Sequence, residues 1–236
     1  AASRPRSGRP RMPLAAPDFT RHFTPGSAFR DEEGDLGTVS VADGGELWLP
    51  TGRLVACDPM AYLGLDTTPP FHTEVAPGRY RLEAALVTWS PADEPLPHGL
   101  PRADLAALRL VVTRAPTASW ELALSGEQRL EDLGPGELYG YGVDAGVGAF
   151  HDASAGRDFA DREATRELLR APFLADGYRR PGPYVLTGPG GHQVAVFQSG
   201  WGDGAYPTWV GRDTAGRVTC FVTDFFVVPP QEGASA

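Results

Sequence analysis

The stretch Arg79–Trp89, RYRLEAALVTW, decides the fold class of this chain. Polar and apolar residues alternate along it, so one face of an extended segment carries Tyr80, Leu82, Ala84 and Leu86. The opposite face carries Arg79, Arg81 and Glu83. A period of two is the period of a β-strand. Its length and apolar face predict an interior strand of a sheet.

A second strand is predicted at Arg217–Val228, RVTCFVTDFFVV. Alternation gives it a face made of Val218, Cys220, Val222, Asp224, Phe226 and Val228. The turn Asp213-Thr214-Ala215-Gly216 joins it to the strand Tyr206–Val210 as a hairpin. Both long strands are expected to be interior, with backbone amides among the slowest to exchange.

Shorter strand patterns fill most of the remaining chain. They lie at Glu46–Pro50, Arg53–Cys57, Leu108–Thr113, Ser119–Leu124, Glu137–Asp144 and His192–Gln198. Pro50-Thr51-Gly52 predicts a hairpin turn, in which Gly supplies a positive φ. The best helix pattern is Asp158–Arg170, with Asp158 as N-cap and Pro172 as its end. The 29 Gly and 23 Pro also favour short elements joined by tight turns. We predict a mainly β or α+β fold: an antiparallel β-rich single domain with one or two short helices.

Composition sets the domain limits and excludes several functions. Residues 1–17 predict a disordered basic leader, 18–230 one globular domain, and 231–236 a tail. The net charge is −9, and the chain without the four arginines of residues 1–11 carries −13. An acidic body argues against nucleic acid as a partner. Lys, Asn and Ile are absent, which indicates a high-GC genome and excludes Schiff-base and P-loop chemistry.

The cellular location that we expect follows from the cysteine spacing and from the lack of long apolar segments. Cys57 and Cys220 have no CxxC spacing, so buried thiols in a reducing compartment are expected. The sequence has neither an apolar signal segment nor an apolar run long enough to span a membrane. We therefore expect a soluble cytoplasmic protein without membrane contact.

Four blocks of sequence resemble a bacterial family known only as domain of unknown function 4241 (DUF4241). They are LPTGRLVACDP (Leu49–Pro59), PF with VAPGRY (Pro70–Tyr80), YGVDAGVGAFHD (Tyr141–Asp152) and GWGDGAYPTWVGRDTAGRVTCFVTDF (Gly200–Phe225). The resemblance spans roughly residues 45–228. It implies no activity, and it indicates which residues to examine.

Aspartates are the candidate site residues within these blocks. Asp224 lies in an otherwise apolar row and needs a partner, which is an Arg, backbone or Tyr donors, or a metal. If Asp144, Asp152, Asp203 and Asp224 converge, their oxygens suit Mg²⁺, Mn²⁺ or Ca²⁺ as a cofactor. His151 would then be a further ligand or a general base. The alternatives are a structural role for Asp224, a turn at Asp203, and a bulge or crowded sheet contact where Gly140 and Gly142 precede Asp144.

Aromatic residues and one thiol complete the candidates. Trp201, Tyr206 and Trp209 form either an aromatic binding wall or a lid on the core. We expect Tyr206 and Trp209 to join the four aspartates in a binding site. Cys57 is expected to be a buried structural thiol, since a nucleophilic thiol needs a neighbouring His.

Two functions remain open from the sequence. One is a non-catalytic module that binds a small molecule or a protein, of the regulatory or toxin-neutralising type. The alternative is a divalent-metal-assisted hydrolase built on the four aspartates. The sequence does not decide whether the protein is an enzyme.

Overall fold

The computed structural model describes residues 15–65, 67–90, 103–175, 177 and 180–230. Within them the chain forms antiparallel sheets, one α-helix and two 3-10 helices, so the predicted β-rich class is confirmed. The strands are β1 (Ala28–Arg30), β2 (Leu36–Leu49), β3 (Leu54–Cys57), β4 (Gly78–Ser90), β5 (Ala103–Val111), β6 (Ser119–Leu122), β7 (Tyr141–Val143), β8 (Val147–Asp152), β9 (Tyr184–Thr187), β10 (Gln193–Gln198), β11 (Gly204–Tyr206), β12 (Thr208–Arg212) and β13 (Val218–Asp224). No helix in these residues is long and apolar enough to cross a membrane.

Seven strands form the large sheet, in the order β1-β2-β4-β5-β13-β12-β6. Both strands predicted to be interior are interior, since β4 pairs with β2 and β5, and β13 pairs with β5 and β12. The predicted hairpin between β12 and β13 is also present, with Gly216 at a φ of 77°. β13 ends at Asp224 rather than Val228, because Phe226 adopts a left-handed backbone conformation.

The alternation predicted for β4 holds as far as Ala84 and then shifts. The pairing of β4 with β5 contains a bulge between Ala85 and Leu86. Beyond the bulge Val87 is buried and Leu86 only half-buried, which reverses the predicted facing. The extra residue is Ala106 of β5, because Ala85 pairs with Ala107 and Leu86 with Leu105, and such a bulge increases the local twist of the paired strands.

Four strands form the small sheet, in the order β3-β8-β10-β9, and β7 pairs with β11 as a separate ribbon. The small sheet is covered on both faces. Ala195 and Phe197 of β10 point into the core that it shares with the large sheet. Val194 and Val196 point the other way, into a second core beneath the helix α1 (Arg162–Ala175). Burial on both sides explains why β10 is apolar without alternation.

The segment 15–27 covers the outer face of the large sheet. Phe19 packs on Trp120 with ring centroids 4.7 Å apart, and the Arg109 guanidinium lies 3.9 Å from the centroid of Phe23. β13 is therefore buried on both faces. Ala16 packs against the core in this segment. The rest of the predicted leader, residues 1–14, and the tail 231–236 lie outside the described residues.

The helix differs from its prediction at both ends. Residues Ala153–Phe159 form a 3-10 helix, and α1 begins at Arg162, where the Asp161 carboxylate accepts hydrogen bonds from the N–H groups of Glu163 and Ala164. Asp158 is therefore not the N-cap, and its carboxylate binds the N–H groups of Gly190 and His192. Pro172 lies inside α1 rather than ending it. The turn beyond it is held by Phe173, whose ring packs edge-on to Tyr184.

The turn Pro50-Thr51-Gly52 is present, but it does not make a hairpin. Gly52 has a φ of 73° and donates its N–H to the Leu49 carbonyl, as predicted for the turn. β2 before it belongs to the large sheet and β3 after it to the small sheet. The turn therefore carries the chain between layers. Tertiary strand pairing decides which sheet each strand joins. The residues of a turn predict that the chain reverses, but they do not predict which strand becomes the partner.

Candidate functional site

The candidate site is a cavity of about 380 Å³ beside the end of β3. Four aromatic side chains line it, namely Tyr62, Phe71, Tyr139 and Tyr141. Hydroxyl and amide groups also line it, from Thr67, Thr68, Ser125, Gln128 and Thr208. Glu127 adds one carboxylate, and none of the described lining residues is an Arg, Lys or His. Such a cavity suits an uncharged ligand with hydroxyl or amide groups.

Two of the lining residues, Thr208 and Tyr141, carry buried hydroxyl groups. The Thr208 hydroxyl lies 2.8 Å from the hydroxyl of Thr223 on β13, and both side chains are buried. The Tyr141 hydroxyl is buried beside Thr223, and burial raises the pKa of Tyr141. These groups therefore stay neutral and are able to donate or accept hydrogen bonds.

The glycines of the block YGYGV have opposite surroundings. A Cβ at Gly140 would come within 2.8 Å of the Tyr206 backbone, which confirms a crowded sheet contact. A Cβ at Gly142 would have no heavy atom within 4 Å, and Gly142 lines the cavity. Gly148 lies under the Tyr141 side chain, since a Cβ there would meet the Tyr141 hydroxyl oxygen at 2.9 Å. Gly140 and Gly148 thus permit close packing of neighbouring groups, whereas Gly142 has open space beside it and lines the cavity.

Asp58 is the carboxylate that holds the cavity wall together. It is 1% exposed and follows Cys57 at the end of β3. Its Oδ1 accepts the N–H groups of Met60 (2.8 Å) and Ala61 (3.3 Å). Its Oδ2 accepts those of Asp144 (2.9 Å) and Ala145 (3.1 Å). Asp58 thereby fastens the turn between β7 and β8 to the loop after β3.

Asp152 has a similar role one strand away. Its carboxylate accepts hydrogen bonds from the N–H and hydroxyl groups of Thr51 and Ser154, at 2.6–3.0 Å. It joins the turn before β3 to the 3-10 helix after β8. Burial alone would raise the pKa of Asp152, but the hydrogen bonds from Ser154 and Thr51 outweigh burial and lower the pKa.

Asp144 and Asp203 are both exposed. Asp203 Oδ1 accepts the N–H of Gly146 at 3.0 Å, so Asp203 joins two loops in addition to forming its turn. Asp144 contributes its backbone N–H to Asp58, while its side chain points to solvent.

Asp224 is 4% exposed, and its carboxylate has two neighbours. One is a backbone group two residues further on, and the other is a side chain of the covering segment. Asp224 Oδ1 accepts the N–H of Phe226 at 2.9 Å and lies 3.8 Å from His22 Nε2. The backbone donor was among the predicted partners. His22 was not, because it reaches Asp224 only through the covering segment 15–27.

The structure does not bring the four predicted aspartates together. No three of Asp144, Asp152, Asp203 and Asp224 have ligand atoms within 4.8 Å of one another. Within the described ranges, Asp31, Glu33 and Asp35 in the turn between β1 and β2 form the group that is close enough to hold a cation. The four predicted residues instead bind backbone N–H groups or face solvent, so the geometry gives them no shared metal site.

The predicted aromatic wall is also divided. Tyr206 is buried against Phe225, with ring centroids 5.1 Å apart, and its hydroxyl donates to the Gly202 carbonyl. Trp209 is buried on β12 of the large sheet, where it is paired with Val222 of β13. Trp201 alone of the three is exposed. Tyr206 and Trp209 are therefore core residues in this fold, and neither lines the cavity.

Cys57 has the neighbouring His that the sequence did not place beside it. Cys57 Sγ lies 3.7 Å from His151 Nε2, and His151 Nδ1 lies 2.9 Å from the Asp152 carbonyl oxygen. Nδ1 therefore donates to that carbonyl, and Nε2 accepts from the thiol. Burial, with the Asp58 carboxylate, raises the pKa of the Cys57 thiol, so it stays protonated at neutral pH. The thiol and the imidazole thus form a hydrogen bond between the buried strands β3 and β8.

We predict that Asp152→Asn lowers stability at neutral pH by about 2 kcal/mol, because the amide offers a single acceptor oxygen. The folded pKa of Asp152 is below its unfolded value of about 3.9. The carboxylate therefore stabilises the fold above that value, and the stabilisation is lost as the pH falls through the folded pKa. Urea unfolding from pH 7 to pH 3 should show the gap between wild type and variant narrowing. A gap independent of pH would contradict this role.

Sequence reasoning missed Asp58, although a signal for it was present. Asp-Pro directly after the apolar run of β3 indicates a chain reversal in which Asp caps nearby N–H groups. It also missed the cavity, whose lining comes from four stretches of the chain, within 56–71, 123–128 and 139–142 and at Thr208.

Comparison with known proteins identifies a family whose description names no activity. The family model described as "Protein of unknown function (DUF4241)" matches residues 47–223. No curated protein and no solved structure matches the chain. The matched range contains Asp58 and Asp152, together with the residues that line the cavity.

Proposed function

The chain belongs to the DUF4241 family, and we propose that it is a binding module whose cavity beside Thr208 holds an uncharged small molecule. The observation that carries the proposal is the lining of that cavity. Four aromatic rings provide apolar surface, and neutral hydroxyl and amide groups provide hydrogen bonds. A volume of about 380 Å³ accommodates a ligand at the small end of the usual range.

The electrostatic character of the lining limits the ligand class. An anion such as a phosphate would need cationic side chains, and the described lining residues include none. Glu127 would repel an anion and accept a hydrogen bond from a hydroxyl or amide group of the ligand. Small sugars, polyols, nucleosides without phosphate and amides share this chemistry.

The hydrolase alternative receives no comparable support. It requires several carboxylates around one divalent cation. The carboxylates of Asp152 and Asp58 already accept several backbone N–H groups each. A ligand-binding role needs no rearrangement of these hydrogen bonds.

We expect Gly142→Leu to abolish ligand binding without unfolding the protein. A Cβ at Gly142 enters open space, and the backbone there does not require Gly. Because Gly142 lines the cavity, we expect the added leucine side chain to narrow it. A fragment set of neutral sugars, polyols, nucleosides and amides should contain compounds that raise the melting temperature of wild type. At about 100 times Kd the gain is about 2.7 kcal/mol, or on the order of 5–10 °C.

Gly142→Ala is the matched control, since it adds the same backbone restriction and leaves most of the cavity empty. It should bind as wild type does and be equally stable or slightly more so. Fragments that stabilise Gly142→Leu as strongly as wild type would place the site elsewhere. A complete absence of binding fragments would count against a small-molecule ligand and in favour of a protein partner.

A further inference from the structure

Two exposed aromatic side chains lie next to each other although they are far apart in sequence. Trp201 is 56% exposed and Phe226 is 41% exposed. The Trp201 indole N–H donates to the Phe226 carbonyl oxygen at 3.2 Å. The Trp201 ring stacks on Trp89, with centroids 6.0 Å apart and planes at 30°. We call Trp89, Trp201 and Phe226 the aromatic patch.

The backbone that presents this patch is held in an unfavourable conformation. Phe226 has a φ of 58°, and it is the one residue other than Gly with a positive φ in the described part of the chain. A bulky side chain in this region costs free energy and persists only where neighbours enforce it. Asp224 enforces it by accepting the Phe226 N–H. The buried carboxylate predicted from the sequence thus serves to turn an aromatic ring towards solvent.

Carboxylates lie in the loops beside the patch. Asp203 is two residues from Trp201. Its carboxylate accepts the N–H of Gly146, and this hydrogen bond joins the loop of Asp203 to the turn that contains Asp144. Both side chains are exposed, and neither forms an ion pair with the described residues.

We propose that the aromatic patch, with Asp144 and Asp203, is a docking surface for an arginine- or lysine-rich segment of a partner protein. Exposed Trp and Phe rings bind guanidinium and ammonium groups on their faces. The two carboxylates supply complementary charge, and the net charge of −9 favours the approach of a basic partner. Large exposed aromatic residues are also typical anchors of protein interfaces. This proposal is independent of the cavity, because none of these residues lines it.

The test is the binding of a labelled oligoarginine peptide to the full chain, measured by fluorescence anisotropy, with the citrulline analogue as a neutral probe of the same shape. The arginine peptide should bind at least about tenfold more tightly, and added salt should weaken it. Trp201→Ala should weaken binding about tenfold, while Trp48→Ala, outside the patch, should not. Asp144→Asn with Asp203→Asn should weaken binding, whereas Asp132→Asn with Glu167→Gln removes two exposed charges elsewhere and should have a smaller effect.

Several results would overturn the proposal. Equal affinity for the arginine and citrulline peptides would remove the role of charge. Equal losses in the two Trp variants, or in the two charge-removed variants, would show that binding is not localised at the patch. Self-association in sedimentation that Trp201→Ala abolishes would assign the patch to a second copy of the chain.

Discussion

Replacing Asp58 by Ala should lower the free energy of unfolding by about 4 kcal/mol, one of the two largest effects that we expect from a single substitution. The carboxylate accepts N–H groups from Met60, Ala61, Asp144 and Ala145. Alanine leaves these donors without an acceptor in a place that is 1% exposed. Each unsatisfied buried donor costs about 1–3 kcal/mol, and partial access of water reduces the sum. The loop after β3 and the turn before β8 would separate.

Denaturant unfolding of wild type and Asp58→Ala measures this effect. Asp144→Ala is the control, because it lies in the same contact but contributes only its backbone N–H. It should stay within about 0.5 kcal/mol of wild type. Asp58→Asn should fall between the two, since its amide keeps one acceptor oxygen. A decrease in the free energy of unfolding of less than about 1 kcal/mol for Asp58→Ala would show that the fold does not depend on the hydrogen bonds of this carboxylate.

The second large effect is expected at Gly52, in the turn that carries the chain between the two sheets. Gly52→Ala should cost about 2–5 kcal/mol, the sum of two contributions. A Cβ at this position would overlap the Val75 carbonyl group, and alanine would also have to adopt a φ of 73°. The left-handed conformation costs about 1–2 kcal/mol, and forced overlap in a packed contact costs about 1–3 kcal/mol more.

Gly136 separates these two costs. Its φ of 72° is almost the same, but a Cβ there would have no heavy atom within 4 Å. Gly136→Ala should therefore lose only the conformational part, about 1 kcal/mol. The difference between the two variants measures how firmly the segment containing Val75 is packed against the turn. Equal losses would mean that this segment moves aside freely.

The sequence predicted elements well where burial imposes a simple period. β4 and β13 were identified as interior strands because an apolar face must be covered. The hairpin at Asp213–Gly216 follows from local turn chemistry alone. The start of β2 was missed, because Leu36–Asp43 is half-exposed and interrupted by Gly, so its stabilisation comes from pairing with β4.

The aspartates show the limit of such reasoning at the site. The sequence established that a buried carboxylate such as Asp224 needs a partner, because burying an unpaired charge is too costly. It did not identify the partner. Asp58 and Asp144 are 86 residues apart, and Asp152 and Thr51 are 101 apart, so their contacts arise only once the layers have packed.

By itself, the sequence determined that this is an acidic, β-rich chain with two buried central strands and a set of aspartates that must be satisfied. Alternation, turn residues and the cost of burying charge are local rules, and they can be read from neighbouring residues. Only the tertiary structure decided that the carboxylates of Asp58, Asp152, Asp203 and Asp224 accept backbone N–H groups and that Asp144 faces solvent. It also decided that four distant stretches of the chain line one cavity and that Trp201 meets Phe226. Those outcomes depend on which loops the two sheets bring together, and a local period carries no information about that.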